Sequence, residues 1–175
     1  DNPYLTMGHL DSKNADSFPV SYKFKKYLEK NMNTCVNKGL RAAGIRSSVS
    51  AVHIRMYGTY RNTRTVKRDG TFGKWSFHST GRAADIQEVH AYTKSGKKYQ
   101  FAMTTRGKKR RGSLYSNPFY TAFNLCFTDK HNNYCKSKGR QSVLDKHYNE
   151  AHHNHIHLAM PYCSRRNLPS GVNGI

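Results

Sequence analysis

The chain has 175 residues, with 30 Lys plus Arg against 10 Asp plus Glu and a formal charge of +20. That length suits a single domain, spanning 1–175, built around one core. Apolar runs such as Leu125-Cys126-Phe127 are far too short for a transmembrane helix, and the charge calls for an anionic partner: nucleic acid, anionic lipid or a carboxylate-rich cell-wall polymer.

The chain opens Asp1-Asn2-Pro3-Tyr4 with no basic or apolar leader, as a processed or trimmed chain would. Residues 1–18 are expected to wrap the surface or fray. From Ser21 to Ala43 apolar residues fall at Phe24, Tyr27, Leu28, Met32, Cys35, Val36 and Leu40, a helical period with Gly44 as its stop. Ser48 to Tyr57 partly alternates and is rich in β-formers, so it reads as a strand. Gly58-Thr59-Tyr60-Arg61 follows, and then a basic loop through Gly73. Ala83 to Tyr92 reads as a strand, Lys94-Ser95-Gly96-Lys97 as a turn, and Tyr99 to Met103 as the hairpin partner. Arg106-Gly107-Lys108-Lys109-Arg110-Arg111 is the densest basic run and reads as a solvated loop.

Asn117-Pro118 provides an N-cap followed by Pro at the first helical position, and Phe119, Ala122, Phe123, Cys126 and Phe127 form the apolar stripe of a second helix. Asn154 to Met160 reads as a strand stopped by Pro161, and 164–175 as a second surface-wrapping or frayed terminus. The expected architecture is α+β: a small, mainly antiparallel sheet with helices packed on one face and a zinc site on the sheet.

Cys35, Cys126, Cys135 and Cys163 are even in number and lack C-x-x-C spacing, which points to two disulfides and an oxidising compartment. The favoured pairing is Cys126–Cys135, closing a short loop, with Cys35–Cys163 tying the first helix to the C-terminal segment. A secreted or periplasmic location is the expectation.

Two histidine clusters carry the chemistry. Ser76 to Ile86 contains His78 and Asp85, a nitrogen and an oxygen donor, with Gly81, Ala83 and Ala84 between them letting backbone pack close. In His152-His153-Asn154-His155-Ile156-His157-Leu158, His155 and His157 share one strand face while Ile156 and Leu158 point to the core. One imidazole of that pair binds a metal and its neighbour reaches water or substrate; His152 and His153 lie where either could rim the site. One carboxylate with neutral imidazoles leaves zinc net positive, able to polarise a carbonyl and lower the pKa of bound water to about 7. Other first-row ions also accept such donors. Trp75 adjoins the first cluster and is a candidate pocket wall. His9, His53, His90, His131 and His147 read as surface or hydrogen-bonded core residues.

The order Gly58-Thr59-Tyr60, Ser76-Phe77-His78-Ser79-Thr80-Gly81-Arg82-Ala83-Ala84-Asp85-Ile86 and Ala151-His152-His153-Asn154-His155-Ile156-His157-Leu158 resembles the bacterial extensin-like C-terminal domain. That family falls within the lysostaphin, D-alanyl-D-alanine carboxypeptidase and hedgehog-type zinc peptidases. The resemblance covers roughly Tyr57 to Met160 and is carried by the motifs. It implies His78, Asp85 and His157 as zinc ligands and His155 as the catalytic histidine. It also implies an upstream Arg on the substrate carbonyl, Arg61 with Arg64 in reserve, and Tyr60 in the cleft. Two positions depart from the pattern: Asn154 stands where Asp is common, and Ala159 where an acid is common. A missing acid is expected to weaken the orientation of a ligand imidazole and leaves His155 as general base. A competing alignment uses Glu150-Ala151-His152-His153, with Glu150 as base and His153 as ligand.

The leading functional expectation is a monomeric zinc peptidase acting on a stem peptide or cross-link of anionic peptidoglycan. The alternative is a non-catalytic, zinc-bearing module that binds wall polymer or a partner. A third reading, a basic nucleic-acid binder or metal nuclease, rests on charge alone, since no specific nucleic-acid motif is present.

Overall fold

Ser21 opens the first helix with its own side chain: Oγ accepts the backbone N–H of Phe24 at 3.3 Å, satisfying one of the orphan donors of the first turn. Helix α1 (Tyr22–Ala42) then buries the stripe Phe24, Tyr27, Leu28, Met32, Cys35, Val36, Gly39 and Leu40. Gly44, at φ +79°, lets the chain leave it. These features come from a computed structural model that describes residues 5–9, 19–59, 64–66, 69–102, 117–136, 143–144, 152, 154–160 and 162–164.

The other elements are strands β1 (Leu5–His9), β2 (Val49–Gly58), β3 (Arg64–Val66), β4 (Phe72–Trp75), β5 (Ala83–Thr93) and β6 (Lys98–Ala102). Helix α2 (Asn117–Tyr134) and strands β7 (Val143–Leu144) and β8 (Ile156–Ala159) follow, and a 3₁₀ turn (Phe77–Thr80) precedes β5. The main sheet runs β1-β2-β5-β8-β7, and β6 also pairs with β5. Strand β5 is long enough to serve two partners in succession: β8 pairs with Ala83–Ile86 and β6 with Glu88–Tyr92. All pairings are antiparallel except β1 with β2. The fold is therefore the expected single α+β domain with a mainly antiparallel sheet.

One core joins both helices to one face of the sheet. Ala84, Ile86, Val89 and Ala91 of β5, Ile156 and Leu158 of β8, and Val52, Ile54 and Met56 of β2 all belong to it. Burying each large aliphatic or aromatic side chain here is worth about 1.5–3 kcal/mol. The helices approach closely because Gly39 has no side chain: a Cβ there would lie 2.6 Å from the Phe119 ring. Phe119 in turn stacks on Phe101 with centroids 3.7 Å apart.

The opposite face carries a buried polar row. A register shift between Arg55 and Met56 leaves Gln87 as a bulge, so Asp85 and Glu88 both turn away from the core. Glu88 Oε2 accepts from His90 Nε2 at 2.9 Å, Gln100 Nε2 at 3.0 Å and Arg55 Nη1 at 3.4 Å, tying β2, β5 and β6 together. This satisfies a carboxylate that would otherwise be too costly to bury. It also gives His90 the hydrogen-bonded structural place expected of it.

Three expectations are corrected. Both disulfides form, but as Cys35–Cys126 and Cys135–Cys163, with Cα separations of 5.4 and 4.9 Å. The reason is helical rise: Cys126 lies on α2 and Cys135 just beyond its end, about 13 Å further along the axis, where a bridge needs Cα atoms within about 7 Å. Within the terminus expected to wrap or fray, Leu5–His9 is a strand of the main sheet. The basic loop expected through Gly73 instead contains β3 and the start of β4, which pair as a two-stranded sheet. No helix among the described residues is long and apolar enough to cross a membrane.

Candidate metal centre

Strand pairing brings the two sequence clusters together. Asp85 on β5 stands directly opposite His157 on β8. Their neighbours Ala84, Ile86, Ile156 and Leu158 are fully buried in the core, so strand alternation sends Asp85 and His157 to the other face. His78 arrives from the 3₁₀ turn. Ser76 Oγ caps that turn by accepting the His78 N–H at 3.2 Å, and Gly81 ends it at φ +64°. Gly81 has a second constraint: its carbonyl accepts the Ser21 N–H at 2.8 Å, and a Cβ would sit 2.7 Å from that same nitrogen. Its small size thus serves packing against the start of α1.

Three donor atoms meet at one point. His78 Nε2, Asp85 Oδ1 and His157 Nδ1 are separated by 3.1 Å (His78–Asp85), 3.1 Å (His78–His157) and 3.0 Å (His157–Asp85). His78 and Asp85 are 3 % and 2 % exposed. The other ring nitrogen of His78, Nδ1, lies 2.5 Å from the Thr59 carbonyl oxygen, which can only accept a hydrogen bond from it. With Nδ1 facing that carbonyl, Nε2 is the ring atom of His78 turned toward Asp85, where it can share a proton with the carboxylate or offer a lone pair to a metal ion. Burial raises the Asp85 carboxyl, but hydrogen bonds and charge from His157 and His78 outweigh it and hold the group well below the usual carboxylate range, so it is anionic. An anionic oxygen this close to two imidazole nitrogens calls for positive charge among them, from a protonated imidazole or from a metal ion.

The donor set fits one. Ligands of a tetrahedral zinc ion with bonds of about 2.0–2.1 Å stand roughly 3.3 Å apart, close to the spacing seen here. His78, Asp85 and His157 are a group that could hold a metal ion. The Thr59 carbonyl provides the outer hydrogen bond that fixes the ring and tautomer of a ligand histidine.

His155 sits just before β8, in a bend, with Nε2 3.6 Å from Asp85 Oδ1. Its Nδ1 lies 2.8 Å from Asn154 Oδ1. Asn154 Nδ2 reaches the Tyr57 hydroxyl at 3.3 Å, and Gln87 Nε2 donates to that hydroxyl at 2.6 Å. Asn154 thus contacts both His155 and Tyr57, where the sequence pattern suggested only a lost acid. The ring of His152 lies 5.2 Å from that of His155 and 5.8 Å from that of His157, centroid to centroid, at the rim of the group.

Arg64 and Trp75 are brought to each other: they are register partners in the β3–β4 pair, with the guanidinium carbon 4.6 Å from the indole centroid. Tyr60, Arg61, Glu150, His153, His147 and the run 106–111 lie outside the described residues. Three residues at the site escaped the sequence reading: Thr59 as an acceptor, and Tyr57 and Gln87 as partners of Asn154. Tyr57 carried a usable signal, since His53, Arg55 and Tyr57 alternate on β2 with the core residues Val52, Ile54 and Met56. Gln87 carried none, because its placement depends on the bulge. Compared with protein-family models, curated proteins and solved structures, the chain matches none.

Proposed function

We propose that this chain is a zinc-dependent peptidase acting on the peptide portion of bacterial peptidoglycan, outside the cytoplasm. The observation that carries the hydrolase reading is the convergence of His78, Asp85 and His157 with the His155 imidazole beside it. The three motif blocks that resemble the extensin-like peptidases support the substrate class. The +20 charge suits a wall rich in carboxylates, and two disulfides suit an oxidising compartment.

When bound, zinc supplies Lewis-acid polarisation of the scissile carbonyl and acidification of water. His78 and His157 would hold it as neutral imidazoles, and Asp85 would contribute the single negative charge. His155 Nε2 faces the group and takes the proton of the attacking water, then returns a proton to the leaving amine. Arg61 is assigned the developing oxyanion, on the strength of the resemblance.

The test is incubation of zinc-loaded protein with purified sacculi and mass spectrometry of the released fragments. The expected result is new peptide termini with wild type and none with His155→Ala or after chelation. Unchanged sacculi alongside a folded, zinc-occupied wild type would overturn the reading and favour a zinc-bearing binding module.

A further inference from the structure

The residues behind His155 form a chain of polar contacts that ends away from the metal group. Asn154 is an asymmetric connector: its Oδ1 only accepts and its Nδ2 only donates. In the structure Nδ2 is spent on the Tyr57 hydroxyl at 3.3 Å, which leaves Oδ1 facing His155 Nδ1 at 2.8 Å. Tyr57 is itself held in place. Its hydroxyl accepts from Gln87 Nε2 at 2.6 Å, and Gln87 is a buried residue fixed by the β5 bulge. The Tyr57 ring also meets the edge of the His155 ring, with centroids 6.0 Å apart at 87°.

We infer that Asn154 and Tyr57 are positioning residues that hold neutral His155 in its Nδ1-protonated tautomer, with the Nε2 lone pair turned toward Asp85 and the metal group. A neutral imidazole carries one N–H and one lone pair, so the partner of one nitrogen decides what the other offers. With Nδ1–H given to Asn154, Nε2 is the proton acceptor at the centre. The opposite tautomer would aim an N–H at the place a cation would occupy. The catalytic meaning of this arrangement rests on the proposed hydrolysis; the tautomer itself is a property of the folded chain.

The experiment is long-range ¹⁵N–¹H correlation spectroscopy on histidine-labelled protein, with and without zinc, at about pH 8, above the ordinary histidine range. The His155 signals are assigned by their loss in His155→Gln. Wild type should show Nδ1–H and a bare Nε2. Asn154→Asp should keep that pattern, because a carboxylate can only accept; Asn154→Leu should lose it. In turnover, Asn154→Leu should lower kcat by about 10- to 100-fold with KM and zinc content little changed, and Asn154→Asp should recover most of that loss. An Nε2–H signal in wild type overturns the inference, as does an Nδ1–H signal that survives intact in Asn154→Leu. An Nδ1–H tautomer in a zinc-occupied wild type that cleaves nothing supports the inference and strikes only the hydrolase reading.

Discussion

His78 Nε2 lies 3.1 Å from Asp85 Oδ1 while the other ring nitrogen, Nδ1, faces the Thr59 carbonyl oxygen. Without a metal the two atoms can meet only through a shared proton; a metal ion would replace that proton and make the contact two sides of a coordination shell.

The first prediction follows directly. Zinc should bind at one ion per chain and raise the melting temperature. At a free concentration 100 times Kd the stabilisation is about 2.7 kcal/mol, or roughly 5–10 °C for a domain of this size. Differential scanning calorimetry with and without zinc measures it, and Asp85→Ala should abolish the shift. A wild-type transition indifferent to zinc would remove the metal centre. Because coordinated imidazoles must be deprotonated, binding should also release protons and weaken as pH falls, which calorimetry in two buffers detects.

Acid stability supplies the second. Asp85 is held below its unfolded value in the folded chain, so its contribution is fully present above about pH 3.9 and fades as pH falls toward the folded value. In the metal-free protein, Asp85→Asn should therefore flatten the loss of stability between about pH 4 and pH 2 relative to wild type. Urea midpoints across that window provide the comparison; parallel curves would contradict the assignment of the charge.

Gly81 supplies the third. Alanine there faces both φ +64° and a Ser21 nitrogen 2.7 Å from the new Cβ. A cost of about 2–3 kcal/mol is expected, together with weaker zinc binding, because Gly81 ends the turn that carries His78. Chemical denaturation and zinc titration of Gly81→Ala would show both effects. A variant as stable as wild type would mean that this contact relaxes without cost.

Disulfide mapping gives the fourth. Non-reducing digestion should release linked peptides containing Cys35 with Cys126 and Cys135 with Cys163. Loops of 91 and 28 residues put the chain-entropy terms at about 4.6 and 3.6 kcal/mol. The double variant Cys35→Ser/Cys126→Ser should then be the less stable of the two pairwise deletions, as judged by urea midpoints.

Periodicity made both helices and the three strands that build the site legible in the sequence. Those signals are local: the stripe from Phe24 to Leu40, the alternation around His157, and the hairpin turn at Gly96 all follow from short-range geometry. The two histidine clusters stood out by residue type and spacing, while the choice of His157 over His155 as the ligand beside His78 and Asp85 came from the resemblance to the extensin-like pattern. What escaped was non-local. The cysteine pairing depends on how α1 crosses α2, which no spacing along one helix reveals. Strand β1 becomes a strand only because β2 offers it an edge. The role of Asn154 was legible only in reverse, as a missing acid, because its partners Tyr57 and Gln87 come from other strands.

The entrance to the long helix has a wider consequence. Pro19 accepts the Thr59 hydroxyl through its carbonyl oxygen at 2.9 Å, and Ser21 donates to Gly81, so one short stretch steadies the two segments that flank His78. The aim of that imidazole is thus inherited from how the helix docks on the sheet. A Ser21→Pro substitution, which removes the backbone N–H given to Gly81, would detune the centre by tilting its mount.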